Sequence, residues 1–124
     1  MTTERSQFEC GGDDFEISLK DLLDSQTRAK NRGLDIPMLD EPSPMQKIGA
    51  YINAVRKKRG FTITKMAEDI NVERPAVVDI ELGNIVFTEF LPHLGKINNT
   101  LSPNDNSVTK KIVQIIWDVF DSDE

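Results

Sequence analysis

The chain has very few of the residues that build metal sites, disulfide frameworks and membrane spans. Its 124 residues include one cysteine, Cys10, and one histidine, His93. These two residues cannot form a structural zinc site or an internal disulfide. The chain has no apolar run of about 18 residues, and its N-terminal segment is polar and acidic, so neither a membrane span nor a secretory signal is predicted. We therefore expect a cytoplasmic protein.

The sequence also lacks the constellations that catalysis requires. Gly11 and Gly12 precede no lysine, so they do not form a phosphate-binding loop. Cys10 lies among acidic residues, which disfavour a thiolate, and His93 has no nucleophile near it in sequence. We predict that the protein is not an enzyme and that it needs no cofactor and no metal.

Charge is distributed unevenly along the chain, whose net charge is −6. Residues 1–44 contain ten acids and five bases, whereas residues 45–65 contain six bases and no acid. Residues 66–124 contain eleven acids and four bases. A basic block between two acidic segments can meet a phosphate backbone, or the acidic N-terminus of the same chain can cover it.

The spacing of apolar residues is helical nearly everywhere, and alternation of period two is almost absent. We predict an all-α protein, a small helical bundle around a helix-turn-helix. Helices are predicted over 15–29, 45–59, twice between Thr62 and Gly83, over 88–99 and over 107–120. Ser18, Thr62, Gly60 and Gly83 supply signals for helix starts and ends.

Composition divides the chain into three parts. Residues 1–44 form an acidic arm with one short helix, in which 1–14 are predicted to be disordered and 34–44, with three prolines, to be extended. Residues 45–101 form the helix-turn-helix domain. Residues 102–124 form a C-terminal helix that either packs on this domain or mediates dimerisation.

Several residues of the middle part match one known pattern: Val55-Arg56, Gly60-Phe61-Thr62, Met66-Ala67-Glu68, Asn71-Val72 and Ile80-Glu81-Leu82-Gly83-Asn84. On these residues the segment 48–101 resembles the phage-repressor-like helix-turn-helix family, of Xre or Cro/C1 type. Ala67 is small where the second helix crosses the third, and Val72 fills the turn between them.

The resemblance implies a DNA-binding transcriptional regulator, and with it a set of site residues. Arg56 and Glu81 stand at positions that form a structural ion pair in the family. DNA contacts would come from the third helix and its surroundings, with double-stranded DNA as the partner and a homodimer providing two half-sites. The DNA-binding residues predicted in this way are Thr62, Lys65, Arg74, Pro75, Ala76, Val78, Asp79, Lys57, Lys58 and Arg59.

An alternative function follows from the chemistry of the third helix. Arg74 can contact guanine, but Pro75 offers no polar side chain and Asp79 repels phosphate. Val78, if exposed beside Pro75 and Ala76, would form a small apolar patch that suits a protein partner. The chain would then be a protein-interaction module that binds a toxin, a sigma factor or RNA polymerase.

Two apolar helices are predicted outside the helix-turn-helix, and the sequence allows two roles for each of them. Each either packs on its own domain or binds a partner, and the C-terminal one could form a dimer seam. The partner-binding residues predicted here are Phe15, Leu19, Leu22, Leu23, Ile116, Trp117 and Phe120.

Overall fold

The structure, a computed structural model, describes residues 14–33 and 43–122, with the side chains of 119–122 excepted. Of the segments predicted to be disordered (1–14) and extended (34–44), residues 1–13 and 34–42 lie outside the described residues. The prediction is wrong at the ends of both segments, because Asp14 is fixed by hydrogen bonds and Pro44 begins a helix capped by Ser43. Within the described ranges the chain is all-helical and has no strand, which confirms the predicted fold class.

Seven α-helices and one 3₁₀ turn follow one another in the described residues. They are α1 (Leu19–Asn31), α2 (Pro44–Lys58), α3 (Ile63–Asp69), α4 (Arg74–Leu82), α5 (Phe87–Phe90), the 3₁₀ turn Leu91–His93, α6 (Leu94–Leu101) and α7 (Ser107–Ser122).

Local side-chain chemistry fixes the helix starts. Ser18 and Asp21 form a reciprocal capping box at α1, and Ser43 and Gln46 form another at α2. Each box satisfies two backbone N–H groups that have no partner within the helix. Thr62 caps α3 by accepting from the Lys65 N–H. The predicted Ser18 cap is confirmed and starts α1 at Leu19, so the apolar spacing from Phe15 onwards extends beyond the helix itself.

α3, α4 and the turn between them form the helix-turn-helix. The Val72 N–H donates to the Ala67 carbonyl at 2.9 Å, which closes the turn after α3. Gly83 then ends α4 with φ of 76°, a left-handed conformation that glycine adopts without strain.

A single apolar core is formed by side chains from the helices α2 through α7. α4 packs against both α2 and α3, and α7 packs against α2 and α6. The buried residues of this core are Ile48, Ile52, Ile63, Met66, Ala67, Ile70, Val77, Val78, Ile80, Phe90, Ile97, Leu101, Val108 and Ile112. α1 lies outside this cluster, against the outer side of α4.

The predicted helix over 88–99 is interrupted, which corrects the sequence-based assignment. Pro92 has no backbone N–H, and the chain tightens into the 3₁₀ turn around it before α6 begins. The helical spacing within 88–99 predicts that Phe90, Leu91, Leu94 and Ile97 face inward. Phe90 and Ile97 are buried and Leu94 is half-buried, but the prediction is wrong for Leu91, which is exposed.

Candidate nucleic-acid interface

Arg74 lies in the first turn of α4, and two carboxylates of the N-terminal segment hold its guanidinium group. Its Nε donates to Asp14 Oδ1 at 2.9 Å. Its Nη1 and Nη2 donate to the two oxygens of Asp21 at 2.9 and 3.1 Å. The pair with Asp21 is therefore bidentate, the arrangement in which a planar guanidinium binds a planar anion most strongly.

The three groups shift one another's pKa in the directions expected of a tight ion cluster. The hydrogen bond from Arg74 lowers the pKa of Asp21 below its ordinary value of 3.8, against the effect of burial. Burial raises the pKa of Asp14, but hydrogen bonds from Thr64 and Arg74 outweigh it, so the net shift is also downward. Asp21 and Asp14 raise the pKa of Arg74 in turn. All three groups are therefore charged at neutral pH.

A second cluster binds α1 to the middle of α4 through Asp79. Ser25 Oγ donates to Asp79 Oδ1 at 2.6 Å, and Arg28 donates to the carboxylate through Nη2 at 2.7 Å and Nε at 3.2 Å. Arg32 Nη1 forms a longer ion pair with Asp79, at 3.7 Å. Asn84 completes the cluster by donating to Ser25 Oγ at 2.9 Å.

The residues before α1 extend the contact to α2 and α3. Glu16 accepts from Lys57 Nζ at 2.9 Å, and the Phe15 carbonyl accepts from Arg56 Nη2 at 2.8 Å. The Asp14 carbonyl accepts from the Ile63 N–H at 2.8 Å. The segment from Asp14 to Arg32, which we call the cover, therefore touches the end of α2, the start of α3 and the outer side of α4.

The predicted DNA-binding residues differ in burial and fall into three groups. Lys57, Lys58, Arg59, Lys65 and Pro75 are exposed. Thr62, Arg74 and Ala76 are half-buried, and Val78 and Asp79 are buried. The prediction that Val78 is exposed is wrong: it is 1% exposed and belongs to the core. The apolar patch predicted on α4 is therefore absent from this arrangement.

Arg56 and Glu81 lie behind this surface and form the ion pair that the resemblance implies. Arg56 Nε donates to Glu81 Oε2 at 2.6 Å, and both side chains have 0% exposure. Asn53 donates to Glu81 Oε1 at 2.7 Å, and Arg56 Nη1 donates to the Phe61 carbonyl at 2.8 Å. The pair fixes α2 against α4, so the orientation of α4 depends on it.

Sequence reasoning missed the residues of the cover that bind α4. They are Asp14, Asp21, Ser25, Arg28 and Arg32. Asp21, Ser25 and Arg28 recur at helical spacing on one side of α1, and Arg32 directly follows the helix, but these residues are polar, and an apolar pattern does not detect them. The opposite charges of the arm and the basic block were the available signal.

The predicted partner-binding residues are partly on the surface. Leu19 is 70% exposed and Leu23 is 52% exposed on the side of α1 that faces away from α4. Phe15, Leu22 and Ile116 are half-buried, and Trp117 is exposed. The side chain of Phe120 lies outside the described residues.

Metal-binding clusters, membrane-spanning helices and surface depressions are the other features that could indicate a function in the described part of the chain. No three histidine, cysteine, aspartate or glutamate side chains come together there as a metal site would require. None of the helices described has the length and apolar character needed to cross a bilayer. A shallow depression between α3 and α6 is lined by Asp69, Asn71, Lys96, Asn99 and Thr100, away from the cover.

Comparisons of the chain with protein-family models, with curated proteins and with solved structures found no match.

Proposed function

We propose that the protein is a DNA-binding transcriptional regulator whose α4 enters the major groove. Support comes from the layout: two short helices meet at a closed turn, and the buried Arg56–Glu81 pair holds the second helix rigidly against α2. In helix-turn-helix proteins the N-terminal residues of the second helix contact base edges. Arg74 occupies that position in α4.

One observation carries this proposal further than the layout does. The Arg74 guanidinium is already bound to anionic oxygens, in the bidentate geometry that arginine also uses with guanine and with phosphate. The group is therefore extended from the start of α4 towards an anion, and it requires no rearrangement of α4 to exchange a carboxylate for DNA.

The exposed bases supply the contacts to the DNA backbone in this proposal. Lys58 and Arg59 lie at the end of α2, and Lys65 lies on α3. Contacts with phosphates orient a protein on the duplex and make binding depend on salt. A dimer of the chain would present two α4 helices to two half-sites.

The salt dependence of duplex binding tests the proposal. Changing both Lys58 and Arg59 to alanine removes two phosphate contacts, so it should weaken binding at low salt. It should also reduce the slope of log K against log salt by about 1.8, because each phosphate contact contributes roughly 0.9. Fluorescence anisotropy with a labelled duplex, at several salt concentrations, measures both quantities.

A matched control changes Lys110 and Lys111 on α7, which are also exposed, to alanine. This variant loses the same net charge, so it separates a local contact from the general attraction between cations and DNA. Equal slopes for the two double variants would contradict the proposed role of Lys58 and Arg59.

A second candidate function is supported by the cover itself. α4 binds a helix through Asp79 and Arg74 in this structure, so the same face can hold a helical segment of another protein. The partner would carry acidic groups that pair with Arg74 and hydroxyl or basic groups that pair with Asp79. Absence of salt-dependent DNA binding, both in the intact chain and after the cover is loosened, would favour this function.

A further inference from the structure

We infer that the cover, residues 14–32, is an autoinhibitory element that occupies the DNA-binding face of α4 and must leave before DNA can bind. This inference deepens the proposed function, since it rests on α4 being the part that contacts DNA. It predicts a regulated protein, in which the closed form seen here binds DNA weakly and an open form binds it tightly.

The first support is that the cover occupies the groups that DNA would need. Asp21 and Asp14 bind all three nitrogen positions of the Arg74 guanidinium, and Glu16 binds Lys57. Carboxylates carry the same charge sign as phosphates, so the two compete for the same cations. A duplex cannot pair with Arg74 while Asp14 and Asp21 do.

The second support is the steric position of α1. It packs along the outer side of α4, and Ser25 and Ala29 are fully buried in the contact. Asp79 is 6% exposed beneath it. A helix about 10 Å wide in this place fills the space that the wall of a major groove would otherwise occupy.

The third support is the composition of the contact, which suits a reversible interaction. α1 contacts α4 through Asp21, Ser25 and Arg28, and Arg32 just after the helix pairs with Asp79, whereas Leu19 and Leu23 are exposed. A helix kept permanently in place usually buries its apolar side, because burial of apolar surface is the main source of stability. Here ion pairs and small residues hold the helix, and another anion can replace the carboxylates in such contacts.

The fourth support is that the remaining domain keeps its core when the cover leaves. The core cluster begins at Ile48 and is formed by side chains of α2 to α7, with Ile17 packed against its margin. The Arg56–Glu81 pair also lies entirely within α2 and α4. Opening therefore exposes Arg74 and Asp79. It also removes the Phe15 carbonyl from Arg56 and the Asp14 oxygens from the first N–H groups of α3, but the apolar core and the Arg56–Glu81 pair need no residue of the cover.

A variant that removes one negative charge from the cover tests the inference in the intact chain. Asp21→Asn removes the charge that pairs with Arg74, while the Asn side-chain oxygen can still cap α1. Since the apparent dissociation constant rises as the fraction of binding-competent molecules falls, a larger open fraction should tighten binding to a labelled duplex. We expect roughly a fivefold to tenfold decrease in the dissociation constant at low salt.

Asp24→Asn is the matched control. Asp24 lies on the same helix and pairs with Lys20 on the solvent side, where the two side chains are 53% and 83% exposed. Both variants remove one negative charge from α1, but only Asp21 contacts α4. Affinity of the Asp24 variant for the duplex should stay within about twofold of the unmodified chain.

A second variant should open the cover because a larger side chain does not fit between α1 and α4. Ser25→Leu places a bulky apolar side chain where Ser25 fits against Asp79, and Thr27→Leu, at an exposed position of α1, is its control. Solvent exchange of the Arg74 Nε–H, followed by NMR, reports whether each variant opens the cover, because this group donates to Asp14 in the closed form.

The outcomes separate the inference from the function on which it rests. Faster exchange at Arg74 together with tighter DNA binding, in the Asp21 and Ser25 variants but not in their controls, supports autoinhibition. Faster exchange with unchanged or weaker DNA binding overturns autoinhibition and leaves the proposed function standing if the intact chain binds DNA. Faster exchange with no binding of any variant at low salt overturns both. Unchanged exchange in both variants shows a permanent structural contact and overturns autoinhibition alone.

Discussion

Replacing Glu81 by alanine should cost about 3–5 kcal/mol of the free energy of unfolding. The substitution leaves the Arg56 guanidinium charged, in a site where its side chain has 0% exposure. Its remaining hydrogen bonds to the carbonyls of Phe61 and Phe15 do not neutralise the charge. A domain of this size is stable by roughly 5–15 kcal/mol, so the loss is a large part of the total. Equilibrium denaturation in urea measures it.

Asp24→Ala provides the control, because it breaks the exposed ion pair with Lys20, whose donor-acceptor distance is 2.9 Å. Exposed pairs of this kind contribute about 0–1 kcal/mol. The two variants each remove one carboxylate from an ion pair and differ in burial. A cost below about 1 kcal/mol for the Glu81 variant would mean that the buried pair does not hold α2 against α4.

Gly49→Ala should be strongly destabilising although alanine favours helices. A Cβ at Gly49 would lie 2.5 Å from the Glu81 carbonyl oxygen and 2.7 Å from the Glu81 carbonyl carbon, with the Ile80 carbonyl oxygen also in contact. These are backbone atoms of α4, so relief requires α2 and α4 to separate. Overpacking of this kind costs about 1–3 kcal/mol or more, which outweighs the gain of roughly 1 kcal/mol in helix propensity.

Gly95→Ala on α6 is the opposite case in the same chain. A Cβ at Gly95 meets no heavy atom within 4 Å, and its backbone is helical. Alanine should therefore stabilise this helix by up to about 1 kcal/mol. Thermal unfolding of the two variants should give melting temperatures that move in opposite directions. A melting temperature for the Gly49 variant equal to or above that of the unmodified chain would contradict the close approach of α2 and α4.

The sequence predicted most of the helical framework because that framework is locally encoded. Ser18, Thr62 and Gly83 act where the sequence places them, as caps and as a left-handed stop. The core residues on α2 to α4 follow the helical period. The helix break at Pro92 is not predicted from the sequence, because a proline near the start of a helix is compatible with an unbroken helix.

The contact between the cover and α4 could not be predicted in the same way. Asp21 and Arg74 are 53 residues apart, and nothing in the local pattern pairs them. The apolar periodicity of α1 predicts that Leu19 and Leu23 form its contact surface, but both are exposed. Small and polar residues of α1 contact α4 instead. The sequence of α4 alone predicts an exposed Val78, because it does not show which helices pack against α4. In the structure α4 contacts α1, α2 and α3, and Val78 is buried.

If the cover must leave α4 before DNA can bind, the distance between α1 and α7 has to change when DNA is bound, and this distance measures opening most directly. Lys20 and Lys111 are both exposed, so each can be changed to cysteine and spin-labelled in a chain that also carries Cys10→Ser. Pulsed electron paramagnetic resonance then gives the distance between the two labels. Without DNA we predict one narrow distance distribution, because α1 is fixed on the domain. With a saturating amount of duplex we predict a broad distribution at longer distances. An unchanged narrow distribution while the duplex is fully bound would show that DNA binds without moving the cover, and would contradict the account.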